Sequence, residues 1–177
     1  MALTNTCLMS KSQSDKFTIW SIFRKAGFSG KISLTLSTWF GTGLLPVAPG
    51  TFGTLGAVPL VFVLACLGTV PGVFIIVMVV AVAIWASDRS RELLGNGDPS
   101  EVVIDEVAGF LLTMFLLPLS WLTLGLGFIL FRIFDIFKPC PIKQTEKLRG
   151  GLGIVMDDLV AGIYAYLCVR LILFFIK

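Results

Sequence analysis

Two long apolar stretches dominate the first half of the chain, at about Phe52–Leu67 and Gly72–Ala86. The residues between them, Gly68–Pro71, include a glycine and a proline, which are typical of turns. The pattern therefore predicts a helical hairpin. Each arm falls short of the ~20 residues that cross the hydrocarbon core of a bilayer, so the pattern leaves open whether the hairpin spans a membrane.

The second half of the chain predicts three more helices. Asp98-Pro99-Ser100-Glu101 has the residue types of a helix start, and that helix is expected to reach about Leu117. Pro118 and Ser120 predict a turn, and the next helix, from about Trp121, is expected to stop before Pro139. A last apolar helix is expected at about 158–176.

The fold class that follows is all-α, a multi-pass or membrane-embedded helical bundle. In the last helix, Ala161 and Ala165 have the spacing of small residues that lets helices approach closely. Residues 37–56 are rich in Gly, Pro and Thr and carry no charge, so we expect a structured loop there.

Residues 1–31 form a basic amphipathic segment, and residues 32–177 are interpreted as one helical domain. The segment contains one acid, Asp15, and five basic residues: Lys11, Lys16, Arg24, Lys25 and Lys31. Beside an apolar stretch, such a bias indicates the cytoplasmic side of a membrane. Its aromatic and aliphatic residues suit a helix lying on anionic lipid, and a disordered terminus is the alternative.

Composition supports the membrane interpretation. Hydrophobic residues make up 56% of the chain and charged residues 14%, with a mean hydropathy of +0.93. Soluble domains carry roughly 25% charged residues. A compact soluble bundle of very apolar helices remains the alternative. The net charge of +3 is small, and without a basic tract nucleic acid is not an expected partner.

Several enzyme classes are excluded by missing residue types. The chain has no histidine, which excludes histidine phosphatases and Ser-His triads. The cysteine-phosphatase loop, the DxD signature and the P-loop are also absent. The four cysteines are scattered, so packing is their expected role. Catalysis would have to use carboxylates, Arg, Lys, hydroxyls, backbone amides and a metal ion.

The charged residues lie in islands. The first contains Asp98, Glu101, Asp105 and Glu106, in which Glu101 and Asp105 would share one face of a helix. Repelling carboxylates beside an apolar boundary favour a divalent ion, and oxygen ligands favour Mg²⁺ or Mn²⁺. A helix cap with surface acids is the structural alternative.

Two further islands follow. Arg132, Asp135 and Lys138 lie three residues apart in an otherwise apolar helix, where charge is costly and is expected to be functional. Arg suits a bidentate grip on phosphate. A structural ion pair with a snorkelling lysine is the alternative.

Asp157 and Asp158 follow a glycine-rich turn and would open the last helix, where capping needs only one acid.

A fourth motif, at residues 49–54, opens a predicted helix. Its backbone N–H groups could bind an anion, which makes Gly50, Thr51 and Gly53 candidate substrate-binding residues. A tight entry turn explains the motif equally well.

The predicted topology brings these motifs to one face. If the N-terminus and the glycine-rich loop are cytoplasmic, the first hairpin crosses the membrane and returns to the cytoplasmic side. The second hairpin, formed by the next two predicted helices, does the same. The three motif regions then meet at the cytoplasmic membrane surface, as a single active site requires.

Four segments together resemble the phosphatidylglycerophosphatase A family over roughly residues 37–165. They read GTGLLPVAPGTFGTLG, VVIDEVAGF, FRIFDIFKPCPI and GGLGIVMDDLVAGI. The resemblance implies an Mg²⁺-dependent hydrolase of phosphatidylglycerophosphate in a bacterial inner membrane. The family's motif acids and bases would fall on seven residues: Asp105, Glu106, Arg132, Asp135, Lys138, Asp157 and Asp158.

The expected mechanism follows from these roles. Asp105, Glu106, Asp135 and Asp157 or Asp158 would hold Mg²⁺, Arg132 and Lys138 would neutralise phosphoryl charge, and Asp158 would act as the base. An aspartyl-phosphate route stays open, as does the oligomeric state. The alternatives are a phosphatase of another phosphorylated lipid, a CDP-alcohol type transferase whose motif is absent, and a non-enzymatic membrane adaptor.

Overall fold

The structure is a computed structural model, and it describes residues 19–95, 99–140, 142 and 150–176. This part of the chain consists of helices and connections and contains no strand, which confirms the all-α prediction. After a helical stretch at residues 19–25 come α1 Phe28–Ser37, α2 Pro49–Gly56, α3 Val58–Leu67, α4 Thr69–Leu94, α5 Ile104–Met114, α6 Trp121–Phe137 and α7 Gly151–Ile176. A short 3₁₀ turn, Thr42–Leu44, precedes α2.

Helices α3 and α4 form the predicted hairpin. Gly68 joins them with φ 82°, a left-handed conformation that glycine adopts at little cost. Helix α4 continues past its predicted end at Ala86 to Leu94, so the charged residues Asp88, Arg89, Arg91 and Glu92 lie on a helix. The chain leaves the helix at Gly95, whose φ is 70°. The run Gly95-Asn96-Gly97 predicts a chain break, which is confirmed at Gly95, whereas Asn96 and Gly97 lie outside the described residues.

The expectation of a loop through residues 37–56 is wrong for its second part. Residues Pro49–Gly56 form α2, with proline at the helix start, where its missing N–H costs nothing. A Cβ on Gly53 would come within 2.8 Å of the Val103 side chain. The glycines of α2 therefore let this helix lie directly against the start of α5. This tertiary contact outweighs the low helix propensity of glycine.

Helix α5 is shorter than predicted. It begins at Ile104 instead of Pro99 and ends at Met114 instead of Leu117. The Val103 amide donates to the Ser37 carbonyl over 2.8 Å, a bond to another segment that keeps the preceding residues out of the helix. Glu101 lies in a turn before α5, so the predicted helical face shared by Glu101 and Asp105 does not form.

Helix α6 agrees with the prediction, and α7 does not. Ser120 caps α6 by accepting a hydrogen bond from the Thr123 amide at 3.1 Å. Helix α7 begins at Gly151, seven residues before the expected start. Asp157 and Asp158 therefore lie about two turns into the helix rather than at its N-terminus. Its first amide, Gly151, donates to Asp88 Oδ1 on α4 over 2.9 Å, a cap that no local sequence signal reveals.

The core surrounds α5, which packs most extensively on α7. Phe110, Leu111 and Phe131 are fully buried there. The two backbones approach at Gly109 and Gly162, where an added Cβ on Gly162 would meet the Gly109 carbonyl oxygen. Ala161 and Ala165 are also fully buried, so the small-residue spacing predicted for close packing is confirmed.

Three helical stretches of the described residues are long and apolar enough to cross a membrane. They are Pro49–Leu67, Thr69–Leu94 and Gly151–Ile176. Many of their large apolar side chains face outward, among them Val70, Phe74 and Phe174. Exposed apolar surface on this scale is typical of a bundle surrounded by lipid.

Candidate active site

A cavity of about 270 Å³ lies where α2, α5, α6 and α7 meet. The three charged islands all contribute to it, as the predicted topology requires. Its charged lining residues are Asp105, Glu106, Arg132, Asp135, Lys138, Asp157 and Asp158. All seven motif residues expected from the sequence are therefore brought together at one end of the bundle.

Helix α5 supplies two acids to the cavity from its first turn. Asp105 is 9% exposed, and its Oδ1 accepts a hydrogen bond from the Glu106 amide at 3.0 Å. The Glu106 side chain lies over the start of α2, where a Cβ on Gly50 would overlap its carboxylate. A Cβ on Gly53 would lie 3.1 Å from the same carboxylate. The two glycines thus make room for Glu106.

Arg132 on α6 joins two of the acids. Its Nη1 lies 3.1 Å from Glu106 Oε1 and 2.6 Å from Asp135 Oδ2. Its Nε is buried and has no hydrogen-bond partner among the described residues. The guanidinium has five N–H donors. Because both ion pairs use the same nitrogen, donors remain for a phosphate.

Lys138 closes the cavity at the end of α6. It adopts φ 42°, an uncommon left-handed conformation for a residue with a Cβ, and caps the helix there. Its Nζ lies 2.6 Å from Asp157 Oδ2 on α7. Lys138 is therefore fixed within the cavity rather than snorkelling away from it, and it ties α6 to α7.

Asp158 is the most deeply buried acid of the cavity, at 4% exposure. It shares the cavity with four other carboxylates: Asp105, Glu106, Asp135 and Asp157. Buried carboxylates that repel one another are stabilised by a divalent cation, and carboxylate oxygens are the ligands that Mg²⁺ prefers.

The donor types therefore fit Mg²⁺, although a cage is not preformed. Within the described ranges, no three acidic or cysteine side chains already converge on one point that could hold a metal. Asp135 and Asp157 are instead bonded to Arg132 and Lys138.

The remaining sequence candidates take different places. Gly50 lines the cavity, whereas Thr51 and Gly53 do not. Glu101 does not line it either. Asp98 lies outside the described residues.

Sequence reasoning missed two kinds of contribution. Pro99 and Ser100 line the cavity from the connection before α5. Asp88 lies outside the cavity and caps the helix that carries Asp157 and Asp158. A signal for Asp88 was present, because it is the first charged residue after the long uncharged stretch that follows Lys31.

The chain is similar in sequence to a known family and to several of its members. Residues 35–173 match the sequence profile of the family described as Phosphatidylglycerophosphatase A. The chain is 33% identical over 130 residues to the Escherichia coli K12 protein of that name, covering 72% of this chain and 76% of that protein. The Haemophilus influenzae protein of the same name is 36% identical over 137 residues, which cover 76% and 84% of the two chains.

A third relative has a different name. A Bacteroides thetaiotaomicron protein, named as a candidate phosphatidylinositol-3-phosphatase, is 36% identical over 149 residues, covering 78% of this chain and 91% of that protein. No solved structure gives a significant match to the chain.

Proposed function

The chain belongs to the phosphatidylglycerophosphatase A family, and from this membership and the cavity's chemistry we propose that it hydrolyses phosphatidylglycerophosphate to phosphatidylglycerol and phosphate with Mg²⁺. The chain is a membrane protein and a phosphatase of phosphate monoesters. The single observation that carries the proposal is the convergence of Arg132 and Lys138 with five carboxylates in one cavity.

The position of the cavity suits a lipid substrate. It lies at one end of a bundle whose long helices are apolar enough to cross a bilayer. The acyl chains would stay in the bilayer while the glycerol phosphate enters from the membrane surface. We place that surface on the cytoplasmic side of a bacterial inner membrane, in accordance with the basic N-terminal segment.

In the proposed reaction the residues of the chain act on the phosphate and on water. Arg132 and Lys138 neutralise the charge that builds up on the phosphoryl oxygens. Asp105, Glu106, Asp135, Asp157 and Asp158 are the carboxylates available to hold the metal, and Asp158 is the proposed base. When bound, Mg²⁺ supplies Lewis-acid stabilisation and makes water a better nucleophile.

The experiment that tests the proposal uses purified full-length protein in mixed micelles with phosphatidylglycerophosphate. We expect phosphate release with Mg²⁺, loss of release with EDTA, and recovery when Mg²⁺ is added in excess. Release that persists in EDTA contradicts the metal requirement. Absence of phosphate release in Mg²⁺ contradicts phosphatidylglycerophosphate as the substrate. That result would favour the alternative of a membrane adaptor without catalytic activity.

A second substrate is suggested by the name of the Bacteroides relative. We therefore include phosphatidylinositol 3-phosphate in the same assay. The cavity of about 270 Å³ is small for a ligand site, since such sites usually measure roughly 300–1,000 Å³. We expect the compact glycerol phosphate to be hydrolysed with the higher kcat/KM, and the opposite order would identify a phosphoinositide phosphatase.

A further inference from the structure

A second, larger cavity of about 600 Å³ lies at the other end of the bundle. The turn between α3 and α4 and the connection after α5 form its walls, which include Leu64, Gly68, Leu116 and Pro118. Leu116 adopts φ 63°, uncommon for a residue with a Cβ, and remains 53% exposed. Most of the residues that line the cavity are apolar, and the cavity is open to its surroundings.

We call the cavity of the proposed reaction the catalytic cavity, and the second cavity is distinct from it. Helix α5 separates them, with Asp105 at one end and Met114 at the other. On α7, Asp158 faces the catalytic cavity and Arg170 lines the second. Twelve residues separate these two positions, which corresponds to roughly 18 Å along a helix axis. With the first cavity at one membrane surface, as proposed above, the second cavity falls in the opposite half of a bilayer ~30 Å thick.

Arg170 gives the second cavity its chemistry. It carries the one charged side chain among the described residues that line the cavity. No acidic residue of the described part of the chain forms an ion pair with it. Its guanidinium lies 6.0 Å from the centre of the Tyr166 ring, which restricts its orientation. Arg170 is exposed, and because a permanently charged side chain in an apolar helix is costly, we expect it to have a functional partner.

We propose that this cavity binds a glycerophospholipid of the far leaflet, with the phosphodiester of the lipid on Arg170 and an acyl chain along the apolar wall. Charge complementarity selects a phosphate, because the guanidinium suits bidentate binding of phosphate oxygens. The apolar wall selects a lipid over a soluble phosphate. Basic pockets between membrane helices are known to bind lipid head groups. The inference does not depend on the reaction proposed above.

The test measures lipid retention by native mass spectrometry of the full-length protein in detergent. The probe is dioleoylphosphatidylserine, a phosphodiester with no phosphate monoester to hydrolyse, and diolein is the control lipid without phosphate. We expect one retained phosphatidylserine on the wild type and at least tenfold weaker retention on Arg170→Gln. The matched control Arg89→Gln removes an exposed arginine of α4 and should retain lipid as the wild type does.

A second variant tests the apolar wall without touching the arginine. Ala65 lines the cavity and is exposed, so Ala65→Phe should fill the wall and weaken retention of phosphatidylserine to a similar degree. Melting temperatures near that of the wild type show that both variants are folded.

Three results would overturn the proposal. Unchanged retention by Arg170→Gln or by Ala65→Phe contradicts the site. Equal retention of diolein contradicts recognition of the phosphate. Loss of the lipid in Arg132→Gln, with retention in Arg170→Gln, places the lipid in the catalytic cavity.

Discussion

At the scale of single residues, the acids of the catalytic cavity differ in what holds them. Asp135 and Asp157 have basic partners at 2.6 Å, whereas Asp158 is surrounded chiefly by like charges. An ion pair alone accounts for the first two acids. It does not account for Asp158, which is buried in the same cavity, and this is why we propose a bound divalent ion for the group as a whole.

Replacing Asp105 with Asn tests that explanation most directly. The amide keeps an oxygen that can accept the Glu106 N–H, so Asp105→Asn should fold normally. Because the amide has no negative charge, kcat/KM for phosphate release should fall by about 100-fold or more. Glu92→Gln is the matched control, since it neutralises an exposed acid on α4. Wild-type activity in Asp105→Asn would remove this residue from the mechanism.

The shape of Arg132 should matter in addition to its charge. Its Nη1 bridges Glu106 and Asp135, and a lysine cannot bridge them and also present a fork to phosphate. We expect Arg132→Lys to lower kcat by roughly tenfold or more, about 1.4 kcal/mol of transition-state stabilisation. Arg89→Lys, in an exposed pair, should leave kcat unchanged. Equal rates for both variants would show that charge alone suffices at position 132.

At the scale of helices, local patterns predicted which elements exist, and tertiary contacts set their boundaries. The turn at Gly68 and the break between α5 and α6 at Pro118 and Ser120 are encoded locally, and both were predicted correctly. The start of α5 depends on a bond between Val103 and Ser37, and the start of α7 depends on Asp88, 63 positions earlier. No window of neighbouring residues contains that information.

The candidate site was predicted better than the helix boundaries for a physical reason. Charged residues in an apolar chain are costly, so each of the few that remain has to be explained by a partner or a ligand. Arg132, Asp135 and Asp158 were conspicuous in the sequence for that reason. Gly53 was not predictable in the same way, because its role of making room for Glu106 depends on the approach of α2 to α5.

The close approach of α5 and α7 supplies a prediction about stability. Gly162→Ala would place a methyl group against the Gly109 carbonyl oxygen, so we expect a loss of about 1–3 kcal/mol and a lower melting temperature. Gly125→Ala is the matched control, because an added Cβ there meets nothing within 4 Å. It should leave stability unchanged or raise it by up to about 1 kcal/mol. A Gly162→Ala protein as stable as the control would show that the helices can separate without cost.

At the scale of the whole molecule, the two cavities give the bundle two chemically different ends. One end carries seven charged side chains around a small cavity, and the other carries Arg170 at a larger cavity lined mostly by apolar residues. Of the two ends, the first carries the carboxylates and basic residues that the proposed hydrolysis requires. The orientation of the bundle therefore decides which leaflet supplies the substrate.

The orientation can be measured with cysteines at the two ends. Cys140 is exposed and lies two residues after Lys138, which caps the end of α6 at the catalytic end. Val70 is 81% exposed beside the Gly68 turn, at the opposite end. In a chain with Cys7, Cys66 and Cys168 changed to Ser, Val70→Cys adds a second label site, and the same background without it reports on Cys140 alone.

The N-terminal charge bias predicts that the catalytic end faces the cytoplasm. A membrane-impermeant maleimide should then label Val70→Cys in intact spheroplasts and reach Cys140 only after permeabilisation. Labelling of Cys140 in intact spheroplasts would place the catalytic cavity on the outer face. The basic segment at residues 1–31 could then no longer be explained by its attraction to the cytoplasmic leaflet.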